Sequence, residues 1–180
     1  MPPPEPVSRD YGDALHFGIV ADEAFGLKDC LMKPYPGRQL TPERRVFNYR
    51  LSRARRTVEN AFGILANRFQ IYGHPMKYDP SKVRKIVLAT SVLHNLLRSK
   101  VAVRHQYSPE DLLDRDDTIG GSFREGQWRE TVGGSALIPL ECTGGNASVT
   151  AQNIRDSYCT YFNGVGAVSW QHTVSQFCKS

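Results

Sequence analysis

The sequence predicts an α/β domain dominated by helices. Two long segments repeat apolar residues at three- and four-residue steps, and a short apolar run ahead of them reads as a strand. At 180 residues, the chain has the length of one domain and can bury a core.

Residues 1–13 are proline-rich and poor in apolar side chains, which predicts an irregular lead-in. Leu15 to Ala21, with Phe17, Ile19 and Val20, fits a buried strand ending at Asp22. Pro34, Pro36 and Gly37 mark a loop, after which Thr41 and Pro42 supply an N-cap and a first helical residue. From there to Phe69 the pattern is helical, in one or two pieces, with Leu51, Ala54, Val58, Phe62, Leu65 and Phe69 on one face. A short extended stretch follows. Asp79 and Pro80 then open a second helix running to about Lys100, whose stripe is Val83, Ile86, Val87, Thr90, Leu93 and Leu97. Residues 101–150 hold no sustained period and are rich in Asp, Gly, Ser and Thr, so they predict a long irregular insertion. A terminal helix over residues 151–162 and a tail to residue 180 complete the division into 1–13, 14–100, 101–150 and 151–180.

Charge narrows the partners. Lys and Arg number 23 against 18 Asp and Glu, a net +5 that mildly favours an anionic ligand. The excess is concentrated: between Arg38 and Arg68 lie eight arginines and only two acids, Glu43 and Glu59. The four cysteines, Cys30, Cys142, Cys159 and Cys178, lack the paired spacing of a zinc site and predict reduced thiols. The N-terminal residues carry no signal-peptide pattern, and the apolar stretch from Ile86 to Leu97 is too short to cross a bilayer, so a soluble protein without membrane contact is expected.

Two acids stand out by position: Asp22 at the end of the apolar run, and Glu59 within the arginine-rich helix. Carboxylates held at a strand end and on a packed helix can present hard oxygens to divalent cations at a fixed separation. The same two residues serve equally as a turn former and an ion-pair partner. Arg44, Arg45, Arg50, Arg53, Arg55 and Arg56 read as phosphate contacts or as a solvated helix face. His94 and Asn95 sit on a helix otherwise given to packing and read as a hydrogen-bonded structural pair. Tyr158, Tyr161, Phe162 and Trp170 read as core or docking aromatics.

Longer words in the sequence add a resemblance. The segments VADEAFGLKDCLMKPYPGR (20–38), LTPERRVFNYRLSRARRTVENAFGILANRFQIY (40–72) and VLATSVLHNLL (87–97), in that order, closely resemble the C-terminal half of the PIF/Harbinger-type DDE transposase nuclease; IRDSYCTYF resembles its last helix. The resemblance implies an RNase H-like core, nuclear localisation with some cytoplasmic presence, DNA as substrate, and an Asp, Asp, Glu triad holding Mg or Mn. It also implies a separate Myb-like DNA-binding partner. Asp22 matches the second acid of that triad and Glu59 the third. The first acid lies well upstream in the family, and Asp10 and Asp13 sit in no suitable strand, so a truncated core missing its N-terminal strands is expected. Such a core should cleave little or nothing by itself, and its uncovered apolar faces favour a homo-oligomer. Three readings stay open: a metal-dependent endonuclease completed by another chain, a non-catalytic DNA- or protein-binding remnant, and a relic without a stable fold.

Overall fold

The computed structural model describes residues 5–8, 11–116, 123–131 and 147–171. It is mostly helical and falls into two compact units, the first built from residues 5–55 and 147–171, the second from 56–116 and 123–131.

In the first unit, β1 (Glu5–Ser8) pairs antiparallel with β2 (Tyr11–Leu15), with Glu5 opposite Leu15 and an irregularity between Pro6 and Ser8. Within the expected irregular lead-in, the described residues 5–8 and 11–13 are instead paired strands, since the backbone finds its ladder partner within a few residues. β3 (Ile19–Val20) and β4 (Leu31–Met32) form a short parallel pair, closed by hydrogen bonds from Ile19 N to Cys30 O and from Ala21 N to Met32 O, both 2.8 Å. The expected buried strand is thus two residues long and half open. Leu15 and Ala21 are buried, whereas Phe17, Ile19 and Val20 face solvent, because the two-stranded sheet has no layer over that side among the described residues.

The long helix α1 (Pro42–Arg68) is continuous and enters both units. Thr41 caps it, its Oγ1 accepting from Arg44 N at 3.4 Å. In the first unit α1 buries Val46, Phe47, Tyr49 and Leu51. Phe47 is fully enclosed among Tyr35, Leu27, Met32, Ala151, Ile154 and Cys159. The last three belong to the C-terminal helix, here α5 (Val149–Asn163), which Ser148 caps through Ala151 N at 3.0 Å. Asn48 pinches Tyr35 from both sides, accepting from its N at 2.8 Å and donating to its O at 3.0 Å. The loop before α1 is thereby fixed to the helix.

The second unit contains the C-terminal half of α1, a single 3₁₀ turn at Gln70–Gly73, α2 (Pro80–Ser99), α3 (Val101–Tyr107) and α4 (Trp128–Thr131). A 3₁₀ turn at Glu110–Leu112 and the antiparallel pair β5 (Arg115–Asp116) and β6 (Phe123–Arg124) join the last two. Asp79 caps α2, accepting from Ser81 N at 2.9 Å, with Pro80 in its first turn as the sequence predicts. Ile64, Tyr107 and Leu112 form the core, with Leu97, Leu113 and Trp128 packed on it.

The predicted buried stripes are only partly buried. On α1, Leu51 is enclosed, but Val58 is 55% and Phe62 65% exposed. On α2, Thr90 and His94 are buried, while Val87 and Leu93 face outward together with Leu88, Val92 and Leu96. Apolar spacing marks a face suited to cover, yet the side of α1 that packs in this unit carries Gly63 and Ile64. Where the insertion 101–150 is described, its elements before α5 are short, from two to seven residues, while residues 117–122 and 132–146, with Cys142, lie outside the described residues. No single described helix is long and apolar enough to cross a membrane.

Candidate nuclease site

Asp22 lies two residues past the end of β3, in the first unit, and is exposed. Its Oδ1 accepts from Ala24 N at 3.0 Å, and its backbone O accepts from Phe25 N at 3.4 Å. One carboxylate oxygen is thus committed to a local turn. Glu23 next to it is exposed as well, and its backbone O accepts from Lys33 Nζ at 3.4 Å.

Glu59 lies in the second unit, on α1, and is half-buried. Its Oε2 is 3.7 Å from Arg129 Nη2, in α4. Arg129 is anchored more firmly on its other side, where Asp114 accepts from Nε at 3.0 Å and from Nη2 at 2.6 Å. The Asp114 side chain is fully buried, and its Oδ1 also accepts from Gly126 N at 2.8 Å. Burial pushes the Asp114 carboxyl up, but the Arg129 hydrogen bonds, the Gly126 N–H and the charges of Arg129 and Arg56 outweigh it and hold the group below its usual range.

Asn60 completes this arrangement. Its amide donates to Asp114 O at 3.1 Å, while its Oδ1 accepts from Asp114 N at 2.8 Å and from Trp128 Nε1 at 3.1 Å. Trp128 lies flat against Gly63, where an added Cβ would fall 2.3 Å from the indole Cδ2. Gly126 is packed as closely, since a Cβ there would fall 2.3 Å from Leu112 O. Glu59, Asn60 and Gly63 lie on one helical face, and together they hold Arg129, Asp114 and Trp128. Sequence reading missed Asp114, Trp128 and Arg129 because they fall in a stretch without period. The usable signals were Gly63 and Gly126, each at a close approach.

The arginines of α1 are arranged chiefly against aromatic rings. Arg44 lies over Tyr35 (4.7 Å), Arg53 over Trp170 (3.9 Å) and Arg56 over Phe123 (4.2 Å). Ring stacking occupies the guanidinium face of each. Arg50 differs: it is half-buried over Phe162 (4.2 Å), and its Nη1 donates to Gly166 O at 2.5 Å and Gln171 Oε1 at 3.3 Å. Burial lowers its basicity, as does neighbouring Arg53. Arg45 is exposed, and Arg55 is half-buried. Phe162 and Trp170 are core and docking aromatics, with Phe162 5.9 Å from Phe47 and Trp170 6.0 Å from Tyr49. His94 forms a structural pair with Tyr107 rather than with Asn95, its Nδ1 lying 2.9 Å from the phenol oxygen; Asn95 is exposed.

The donor chemistry of Asp22 and Glu59 suits a hard divalent cation, which takes carboxylate oxygens. Among the described residues, however, no three His, Cys, Asp or Glu side chains gather as a metal-holding group.

A family model described as DDE superfamily endonuclease matches residues 11–95. No curated protein and no solved structure gave a match. The match takes in Asp22, all of α1 with Glu59 and its arginines, and most of α2. Residues 11–95, a little under half of the chain, are therefore similar to the DDE superfamily endonuclease family.

Proposed function

We propose that the chain is a PIF/Harbinger-type, transposase-derived nuclease segment that binds DNA and does not cut it unaided. The observation that carries this reading is the order of three long motifs inside or adjoining the matched segment, with Asp22 and Glu59 each at a motif's acidic position. Asp22 and Glu59 are the residues that would hold Mg or Mn. Such cations, when bound, stabilise the attacking and leaving oxygens of a phosphodiester. The rest of the work falls to the chain itself. Arg44, Arg45, Arg53, Arg55 and Arg56 hold the phosphate backbone, and Arg50 fastens α1 to the residues around Gly166. Arg129, fixed by Asp114, keeps the Glu59 carboxylate on one side of the helix.

In this reading the protein works in the nucleus, with further presence in the cytoplasm, beside a Myb-like DNA-binding partner and as a homo-oligomer. The non-catalytic remnant is the second reading, favoured by the absence of a three-donor cluster among the described residues.

The test is supercoiled-plasmid nicking in Mg or Mn, together with DNA affinity by fluorescence anisotropy. We expect no nicking, unchanged affinity in Asp22→Ala and Glu59→Ala, and weaker, less salt-dependent binding in Arg53→Glu/Arg56→Glu. Nicking that disappears in Asp22→Ala would overturn the claim of inactivity. A doubly reversed variant that melts normally and binds DNA as before would overturn the assignment of the arginines.

A further inference from the structure

We propose that the corner between α2 and α3 is a binding pocket for a phosphate group. The two helix axes turn by 116° at Lys100, which brings the end of α2 beside the end of α3. The returning chain borders an open pocket of about 160 Å³ whose polar lining is Arg98, Arg104, His105, Ser108, Glu110 and Arg115, with Leu113 at its apolar edge. All of these residues lie beyond the family-matched segment, and the pocket stands on its own geometry whether or not the nuclease reading holds.

Charge and size select the ligand. Three guanidinium groups and an imidazole face one carboxylate, so the lining stays at least two charges positive with His105 neutral. Glu110 is already matched, its Oε2 lying 3.0 Å from Arg115 Nη1. The side chains of Arg98 and Arg104 make no hydrogen bond or ion pair among the described residues, unlike those of Arg50 and Arg129, whose donors are taken. The cavity is smaller than the roughly 300–1,000 Å³ of small-molecule sites, which suits one compact anion. Planar guanidinium forks satisfy the several oxygens of a phosphate better than a single carboxylate could occupy them.

The walls are held in place. Arg68 fastens the end of α3, its Nε donating to Tyr107 O at 2.8 Å and its Nη2 to Gln106 O at 2.9 Å. The His94–Tyr107 hydrogen bond ties α3 back to α2 at 2.9 Å. Ser108 Oγ donates to Arg104 O at 3.2 Å, which sets the path of the chain as it leaves the helix. The phosphate comes either from a free small anion or from a nucleic-acid backbone, and the two are separable by experiment.

The full chain, Arg98→Gln/Arg104→Gln, and the charge-matched control Arg84→Gln/Lys85→Gln on the exposed side of α2 are compared. Inorganic pyrophosphate is followed through arginine Nε–H resonances, and a short labelled DNA duplex through anisotropy. We expect pyrophosphate to shift the wild-type resonances, with affinity at least tenfold weaker in the pocket variant and changed less than twofold in the control. For a nucleic-acid source, the duplex affinity falls in parallel and the salt slope drops by about 1–2, roughly 0.9 per lost phosphate contact. For a free-anion source, the duplex affinity stays level while pyrophosphate binding is lost, and the pocket stands. Equal losses in pocket variant and control, no pyrophosphate shift in wild type, or equally tight binding of a hexaglutamate peptide would each overturn the proposal. Both substituted arginines are exposed, so unchanged melting confirms that the comparison is between folded proteins.

Discussion

Gly63→Ala sets a local preference against a tertiary contact, and the structure decides which wins. Gly63 sits inside α1, where alanine should stabilise the helix by about 1 kcal/mol. A Cβ at this position, however, falls 2.3 Å from Trp128 Cδ2, 2.6 Å from Cγ and 2.7 Å from Cε3. These atoms lie near the root of the indole, so the ring cannot swing clear while Nε1 keeps its 3.1 Å bond to Asn60. Overpacking of this kind costs about 1–3 kcal/mol, and release of the ring forfeits a further hydrogen bond of about 1 kcal/mol. The guanidinium of Arg129 over the ring, at 4.5 Å, is lost with it. The net expectation is a loss of roughly 1–3 kcal/mol. The assay is urea unfolding followed by Trp128 fluorescence in a Trp170→Phe background, since the chain has two tryptophans. A lowered midpoint with red-shifted native emission is expected. Stabilisation by about 1 kcal/mol with unchanged emission would show that propensity alone governs the site and that Trp128 does not dock there.

Further consequences follow from the same contacts. Asp114→Asn keeps the shape but leaves Arg129 facing a neutral amide, and removal of one partner from so buried a pair should cost about 3 kcal/mol in urea melts; an unchanged midpoint would show the fork to be idle. Because the folded Asp114 carboxyl titrates below its ordinary value, its contribution is complete above the unfolded value near about 3.9 and is lost as pH falls through the lower folded one, a step that should vanish from the acid-unfolding profile of Asp114→Asn. Burial, aided by Arg98, likewise lowers His94, so acidification from about 6.5 through its folded value should remove stability that His94→Phe does not lose. Ser148→Ala removes the cap of α5 and should cost about 1 kcal/mol, read as a lower melting temperature of the first unit.

The sequence showed the helices because their signals are local. Asp79 with Pro80 and Thr41 with Pro42 set the helix starts through capping geometry, and the structure places both helices there. The terminal helix expected over residues 151–162 falls within α5, which starts two residues earlier, at Val149. Burial was less legible. Val58, Phe62 and Val92 carry the spacing of a packed face yet stand exposed, since spacing specifies which residues share a side and not what will cover it. The short strands were misjudged for a related reason: Ile19 and Val20 look buried by composition, but a two-residue ladder encloses neither. At the candidate site, Asp22 and Glu59 could be singled out from their motif positions. Their partners Ala24 and Arg129 could not, because one bond is made by backbone and the other reaches seventy residues along the chain into a stretch without period.

The proposed role of Asp22 and Glu59 as cation-holding carboxylates is tested most directly by Mn titration of the full chain, with free Mn read by electron paramagnetic resonance. The account predicts that Asp22→Asn and Glu59→Gln each weaken Mn binding. Mn binding that is indifferent to both substitutions would contradict it.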